Sequence, residues 1–236
     1  MDSYSAIFSR HAAHSFDGDP LNQEALQDIL ALARSADQIE GQSIELDVAS
    51  PDQVNEGMST IKGSPPPHYL LAFTEQTDAA FANAGYVLQA VELAVQAKGL
   101  GSHWLGMAKP KASRPDYTIA LAFGRTSEPA RPRDAADRLD LARISDQDNG
   151  VAQAVRLAPS GVNDQPWRLA FEDGLVRLIH HPRGAMRLIL AKKMDKISLG
   201  IAARHAALAL QHEGRIVTKA IPANQAGAFA IEIYYT

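Results

Sequence analysis

Apolar residues at Leu26, Ile29, Leu30 and Ala33 recur at the spacing of one helical face, and Asn22 stands where an N-cap would close the first turn. A helix is predicted from there. A shorter opening helix is marked by Tyr4, Ile7 and Phe8, and a turn by Asp17-Gly-Asp-Pro20. Residues 43–48 alternate like a half-buried strand, with Ile44, Leu46 and Val48 on one side. Residues 49–67 are polar and end in three consecutive prolines, which predicts a loop or helical fragment rather than a strand. Tyr69–Phe73 is continuously apolar, the pattern of a strand covered on both faces.

Phe81 to Lys98 is the most apolar helical stretch, with Val87, Leu88, Val91, Leu93, Ala94 and Val95 spread around more than one face. It reads as a buried central helix capped by Gly99, after which the chain continues as a turn, Leu100-Gly-Ser-His-Trp-Leu-Gly-Met107. Tyr117–Phe123 is a second buried strand ended by Gly124. Ser145 and Asp148 have the form of a capping box for a helix through Val151 and Val155 to Ala158. Trp167–Phe171 and Leu175–Ile179 flank Asp173-Gly174 as a hairpin, and Pro166 is expected to hold Gln165 in extended geometry. Gly200–His212 is an Ala- and Leu-rich helix closed by Gly214, and Phe229–Tyr235 is the final strand.

The pattern repeats. Gly85 to Gly99 and Gly200 to Gly214 have equal spacing, each lies on an apolar helix, and each helix leads to a buried strand. Upstream, the segment at Ala33-Arg-Ser-Ala-Asp37 and the strand after it take the place of Ala158-Pro-Ser-Gly-Val-Asn163 and Trp167–Phe171. Two copies are too few for a solenoid, so the expectation is an α+β protein of two similar halves, an intramolecular pseudo-dimer. The first half is 1–124, a linker or arm follows at 125–144, and the second half is 145–236. The copies differ: the first has no N-x-Q-P-W stretch and the second no R-H-A-A-H stretch. One asymmetric site between the halves is therefore expected.

Composition narrows the chemistry. A net charge of −4 argues against an electrostatically driven binder of nucleic acid or anionic membrane, leaving a small molecule as the expected partner. The absence of cysteine removes thiol catalysis, disulfides and Cys-ligated metals, so any redox chemistry would need a borrowed cofactor. The spacing of Asp146, Asp148 and Gly150 superficially suggests a calcium loop, but Leu157 stands where its bidentate Glu is needed, and no metal is expected. No signal-like start or membrane-length apolar run is present, so a cytoplasmic location is expected.

Three stretches remain that the elements do not explain: Arg10-His-Ala-Ala-His-Ser-Phe16, Gly99-Leu-Gly-Ser-His-Trp-Leu-Gly106 and Pro159-Ser-Gly-Val-Asn-Asp-Gln-Pro-Trp167. Taken singly, each has an ordinary reading. Ser160 and Asn163 can satisfy local backbone, Arg10 and Arg133 can be solvated charges, His11 and His14 can flank a helix, and Trp104 and Trp167 can be core. Together, in this order, they resemble the FMN-dependent nitroreductase family, in the subgroup where one chain carries both halves of a normally dimeric site. The resemblance covers most of the chain and implies a nitroreductase-like fold with a mixed central sheet flanked by helices.

The resemblance also implies roles. FMN would be held by Arg10, His11, Ala12 and His14, by Leu105 and Gly106 near flavin N5, by Arg131 and Arg133 at the phosphate with Arg138 as a competitor, and by Pro159, Ser160, Gly161 and Asn163 from the second half. Guanidinium groups suit a phosphate dianion through paired, charge-assisted hydrogen bonds. Ala12 replaces the family's usual hydroxyl, and His14 stands where the family carries Lys or Arg. The implied activity is hydride transfer from NADH or NADPH through FMN to a nitroaromatic, quinone or related acceptor, by ping-pong, with no protein nucleophile. The alternative is a flavin-binding or storage protein without turnover. The fused halves imply a monomer.

Overall fold

The computed structural model describes every residue except 58–60, 63, 133–134 and 184–188, and residues 189–191 without their side chains. The chain forms two compact units: Met1–Ala36, Ile44–Gln76 and Ala90–Arg133 in unit 1, and Asp37–Ser43, Thr77–Gln89 and Asp134–Thr236 in unit 2. The stretches 37–43 and 77–89 thus group with the C-terminal body, and the division passes through the central helix.

Unit 1 opens with α1 (Ser3–Ser9), N-capped by Asp2, and α2 (Gln23–Ser35), where the Asn22 side chain accepts the Ala25 N–H at 2.8 Å. Its sheet contains β1 (Glu45–Ala49), β3 (His68–Phe73), β4 (Gly101–Leu105) and β6 (Tyr117–Gly124) in the order β1-β3-β6-β4, every pair antiparallel. A two-residue pairing of β2 (Val54–Asn55) with β5 (Lys109–Pro110) lies apart from it, so the polar 49–67 stretch does contain a minimal strand. All six residues of β3 are buried, as its unbroken apolar run requires. Tyr69, Leu71, Phe73, Leu105, Ala120 and Ala122 pack on one face of the sheet.

Unit 2 holds the first turns of α3 (Asp78–Ala97), then α4 (Gly150–Arg156) and α5 (Ile189–His212). Its sheet is β7 (Trp167–Glu172), β8 (Leu175–His180), β10 (Ala228–Tyr235) and β9 (Val217–Gln225), in the order β7-β8-β10-β9, again wholly antiparallel. Each sheet arises from the same chain sequence: two strands, a long helix, two strands. In each, the last strand inserts between the second and third. That insertion is why the expected mixed sheet is replaced by two antiparallel ones. The strands joined through the helix run the same way but are never neighbours, so no parallel pair forms.

Other differences have local causes. Ser145 does not cap α4. Its hydroxyl closes a turn on Gln147 instead, and Asn149 caps the helix by accepting from Ala152 N at 2.9 Å. The stretch expected as a turn, Leu100–Met107, contains β4: pairing with β6 makes Gly101–Leu105 a strand although Gly101 and Ser102 are poor strand formers. β9 is polar and carries Pro222, which an edge strand tolerates. α5 begins at Ile189, about three turns before Gly200.

In unit 2, α3 and α5 cross at Gly85 and Gly200. A Cβ on Gly85 would meet the backbone of Ile197 and Ile201, and one on Gly200 the backbone of Ala82 and Tyr86. The two sets are reciprocal: a single shift of the numbering maps one onto the other, the signature of a local two-fold contact. The caps match as well, with φ +79° at Gly99 and +81° at Gly214. Among the described residues no helix is long and apolar enough to cross a membrane.

Candidate functional site

In unit 1 the first candidate stretch leaves α1 and runs along the outer edge of β4. Ala13 N donates to Ser102 O at 2.8 Å, and the His103 ring bonds the Ala13 carbonyl through Nδ1 at 2.8 Å. Gln96 on α3 reads the neighbouring residue twice: its Oε1 accepts His11 N at 3.2 Å and its Nε2 donates to His11 O at 2.6 Å. These contacts fix residues 10–14 almost as an added strand. Its edge position, rather than any helix-flank geometry, sets where the two histidines stand.

Arg10 turns inward. Its Nη2 lies 3.1 Å from Glu92 Oε1, with the side chains 5% and 0% exposed, and Ser102 Oγ donates to the same oxygen at 3.3 Å. Arg131 binds carbonyls at the end of α1: Nε donates to Arg10 O at 2.9 Å and its backbone N to Ser9 O at 2.9 Å. Arg133 lies outside the described residues. The His14 N–H donates to the Glu128 carboxylate at 3.0 Å, and its ring stands edge-on to His103 with centroids 4.9 Å apart. Burial, the largest influence, pushes the His11 pKa down, so its 3.6 Å approach to Glu128 is not an ion pair at neutral pH. Ala12 is half-buried, Leu105 is a buried strand residue opposite Ala120, and Gly106 is exposed in the following turn.

Among the described residues eight buried side-chain polar atoms have no hydrogen-bond partner, and five belong to this region: Arg10 Nε, both ring nitrogens of His11, Glu92 Oε2 and Trp104 Nε1. Unsatisfied buried polar atoms are costly, and their gathering is a reason to look for a ligand. The donor set suits a polar ring edge. It suits a phosphate dianion less well, because Glu92 already neutralises Arg10.

The second stretch lies in unit 2. Ser160 Oγ accepts Gln165 N at 2.9 Å, and Gly161 N donates to Ser198 Oγ on α5 at 3.2 Å. Asn163 is held by the arm: Arg138 Nη1 donates to its Oδ1 at 2.9 Å, and its Nδ2 donates to Asp137 O at 3.1 Å. Leu139 N donates to Gln165 Oε1 at 3.0 Å. Pro159 and Ser160 are half-buried, and Trp167 is wholly buried in the core. The expectation of an extended Gln165 is corrected, because its φ is +50°, with Val162 at +48° and Asn163 at +61°. The bonds to Ser160 and Leu139 override the preference set by Pro166. Three non-glycine residues in the left-handed region cost of order 1–3 kcal/mol each, and Val162 is also 79% exposed. Strain of this kind collects at ligand-contacting loops.

Sequence reasoning missed Glu92, Gln96, His103, Glu128 and Ser198. Only Glu92 carried a signal, as an acid inside an otherwise apolar helical stretch. Two histidines also predict a pH response. His68 Nε2 accepts Leu21 N–H at 2.9 Å, and burial is the main force lowering the pKa of both His68 and His103. Below about pH 6.5 the unfolded chain takes up protons that the folded chain refuses, so stability falls as pH drops and is level above that point. Melting temperature should therefore decrease from pH 7.5 to 5, and His68→Gln should shrink the decrease. A flat profile would refute the assignment.

Comparison with known proteins accords with this fold. The sequence family described as "Putative TM nitroreductase" matches residues 2–210, and the chain belongs to that nitroreductase family. A "putative nitroreductase" from Thermotoga maritima is similar in structure, with TM-score 0.72, 18% identity, and 99% of this chain and 94% of that one covered. An FMN-dependent nitroreductase from Clostridium difficile gives TM-score 0.47 at 15% identity, covering 61% of this chain and 98% of that one. A nitroreductase with bound FMN from Desulfitobacterium hafniense gives 0.43 at 15% identity, covering 59% and 100%. No curated protein matches.

Proposed function

We propose that the chain is an FMN-dependent oxidoreductase that takes hydride from NADH or NADPH and passes it to a nitroaromatic, quinone or related flat acceptor by ping-pong exchange. The observation that carries this, beside family membership, is the gathering of unpartnered buried polar atoms along the edge-bound Arg10–His14 segment. The flavin supplies the hydride chemistry when bound. The protein's part is to bind and orient it. Residues 10–14 offer a fixed row of polar groups, and Gly106, exposed in the turn after β4, offers backbone without a side chain of its own.

We further propose that the chain acts as a monomer built from two fused halves. The equal strand order of the two sheets and the reciprocal glycine contacts support this. Purified chain mixed with FMN and desalted should retain the visible absorbance of the flavin ring. Anaerobic NADH or NADPH should bleach it, and a quinone should restore it. Retention without bleaching would leave a flavin-binding protein, and absence of retention would refute both readings. Light scattering should give the monomer mass.

A further inference from the structure

Four basic side chains of unit 2 gather where β7 begins and β8 ends. Backbone pairing brings them there. Trp167 is the register partner of His180, His181 N donates to Pro166 O at 3.0 Å, and Leu169 N donates to Ile144 O at 2.7 Å, drawing residues 143–144 against β7. Arg183 ties the three segments together: Nε donates to Gln165 O at 3.1 Å, and Nη2 donates to Trp167 O at 3.1 Å and Arg143 O at 2.6 Å. Arg168, on β7 next to Trp167, is exposed, as are Arg143 and His181.

The charges of these groups act on one another. After burial, Arg143 and Arg168 are what hold the Arg183 pKa down, and Arg183, Arg168 and His180 do the same for His181. No carboxylate acts on either. The side chains of Arg143, Arg168 and His181 make no hydrogen bond or ion pair with a described residue. The charged groups next to His180 are already engaged: Asp195 is bound to His180 Nε2 at 3.0 Å, and Lys196, 3.3 Å from His180 Nδ1, is paired with Asp78 at 3.2 Å and adds no free charge. The chain carries 27 acidic against 23 basic residues, so a concentration of positive charge without a counter-ion is a local arrangement and not a reflection of composition. Like charges held together by backbone geometry repel unless an anion joins them.

We propose that Arg143, Arg168, Arg183 and His181 form a binding site for a phosphate monoester dianion. Guanidinium forks and an imidazole N–H match the oxygens of such a group. Arg183, spent largely on carbonyls, positions the others, while Arg143 and Arg168 present their donors outward. The carrier rests on the oxidoreductase reading: it is the 5′-phosphate of FMN or the 2′-phosphate of NADPH. The site itself does not depend on that reading.

Calorimetric titration of the full chain at low ionic strength tests it, using inorganic phosphate, FMN against riboflavin, and NADPH against NADH. Arg143→Ala/Arg168→Ala is the variant, and its melting temperature should be unchanged because both side chains are exposed. Phosphate should bind, and one phosphorylated member should bind about tenfold or more tighter than its partner, with the preference lost in the variant. Which pair shows the preference names the carrier, and binding of inorganic phosphate alone, lost in the variant, keeps the site with free phosphate as its ligand. If no flavin binds, the oxidoreductase reading falls while the phosphate titration still decides the site. Absence of phosphate binding, or a preference that survives in the variant, overturns the proposal.

Discussion

Gly200→Ala is expected to destabilise the chain by about 3 kcal/mol or more, well beyond an ordinary helix substitution. On helix propensity alone the change should stabilise, since Ala is preferred over Gly by about 1 kcal/mol in a helix interior. Packing reverses the sign. The added methyl would overlap the Ala82 carbonyl oxygen and stand 2.9 Å from Tyr86 N, and these are backbone atoms of α3 that cannot rotate aside. The crossing must open, and the apolar contacts on either side open with it. Gly85→Ala should behave likewise against Ile197 and Ile201. Gly214 is the control. Nothing lies within 4 Å of its would-be Cβ, and only its φ of +81° resists substitution, at about 1 kcal/mol. Urea unfolding of the three variants gives the comparison. Gly200→Ala no more costly than Gly214→Ala would mean that the helices do not meet at these glycines.

That crossing also shows what the chain makes readable. Equal spacing of Gly85–Gly99 and Gly200–Gly214 marks two equivalent helices, and the apolar runs at Tyr69–Phe73 and Tyr117–Phe123 mark strands, because burial on every side leaves a continuous signal. Edge strands leave a weaker one: β1 and β7 are readable from their alternation, but β4 and β9 are not. β4 and β9 each have one partner, tolerate glycine, proline and polar residues, and are held by the neighbour they pair with. Direction is illegible for a similar reason: whether a sheet is mixed depends on which strand inserts where, a long-range choice that local pattern does not encode. In the candidate stretches the motifs do not give the partners of their side chains. Nothing within Arg10-His-Ala-Ala-His14 announces that Arg10 faces Glu92 across 82 positions, or that Asn163 is met by Arg138. The left-handed Gln165 was hidden because its cause lies in Leu139 and Ser160, outside the dipeptide rule that governs a residue before proline.

Removing either partner of the Arg10–Glu92 pair is expected to cost about 3–5 kcal/mol, because each change leaves the other charge buried alone. With the side chains 5% and 0% exposed, neither can reach water without displacing its surroundings. Glu92→Leu and Arg10→Met should thus each be severe, whereas the double variant should recover most of the loss, since a well-packed apolar pair can equal a buried ionic one. A double-mutant cycle by urea unfolding measures the coupling, and additive losses would show that the two groups do not depend on each other. Flavin binding then separates two roles for Arg10. The neutralising carboxylate makes it a positioning residue for the segment through His14, so Arg10→Ala should weaken retention of FMN and of riboflavin by the same factor. A loss confined to FMN would instead put the guanidinium on the phosphate. It would also require Arg10 to leave Glu92 when the cofactor arrives, and Glu92→Gln would then tighten FMN by removing the competing charge.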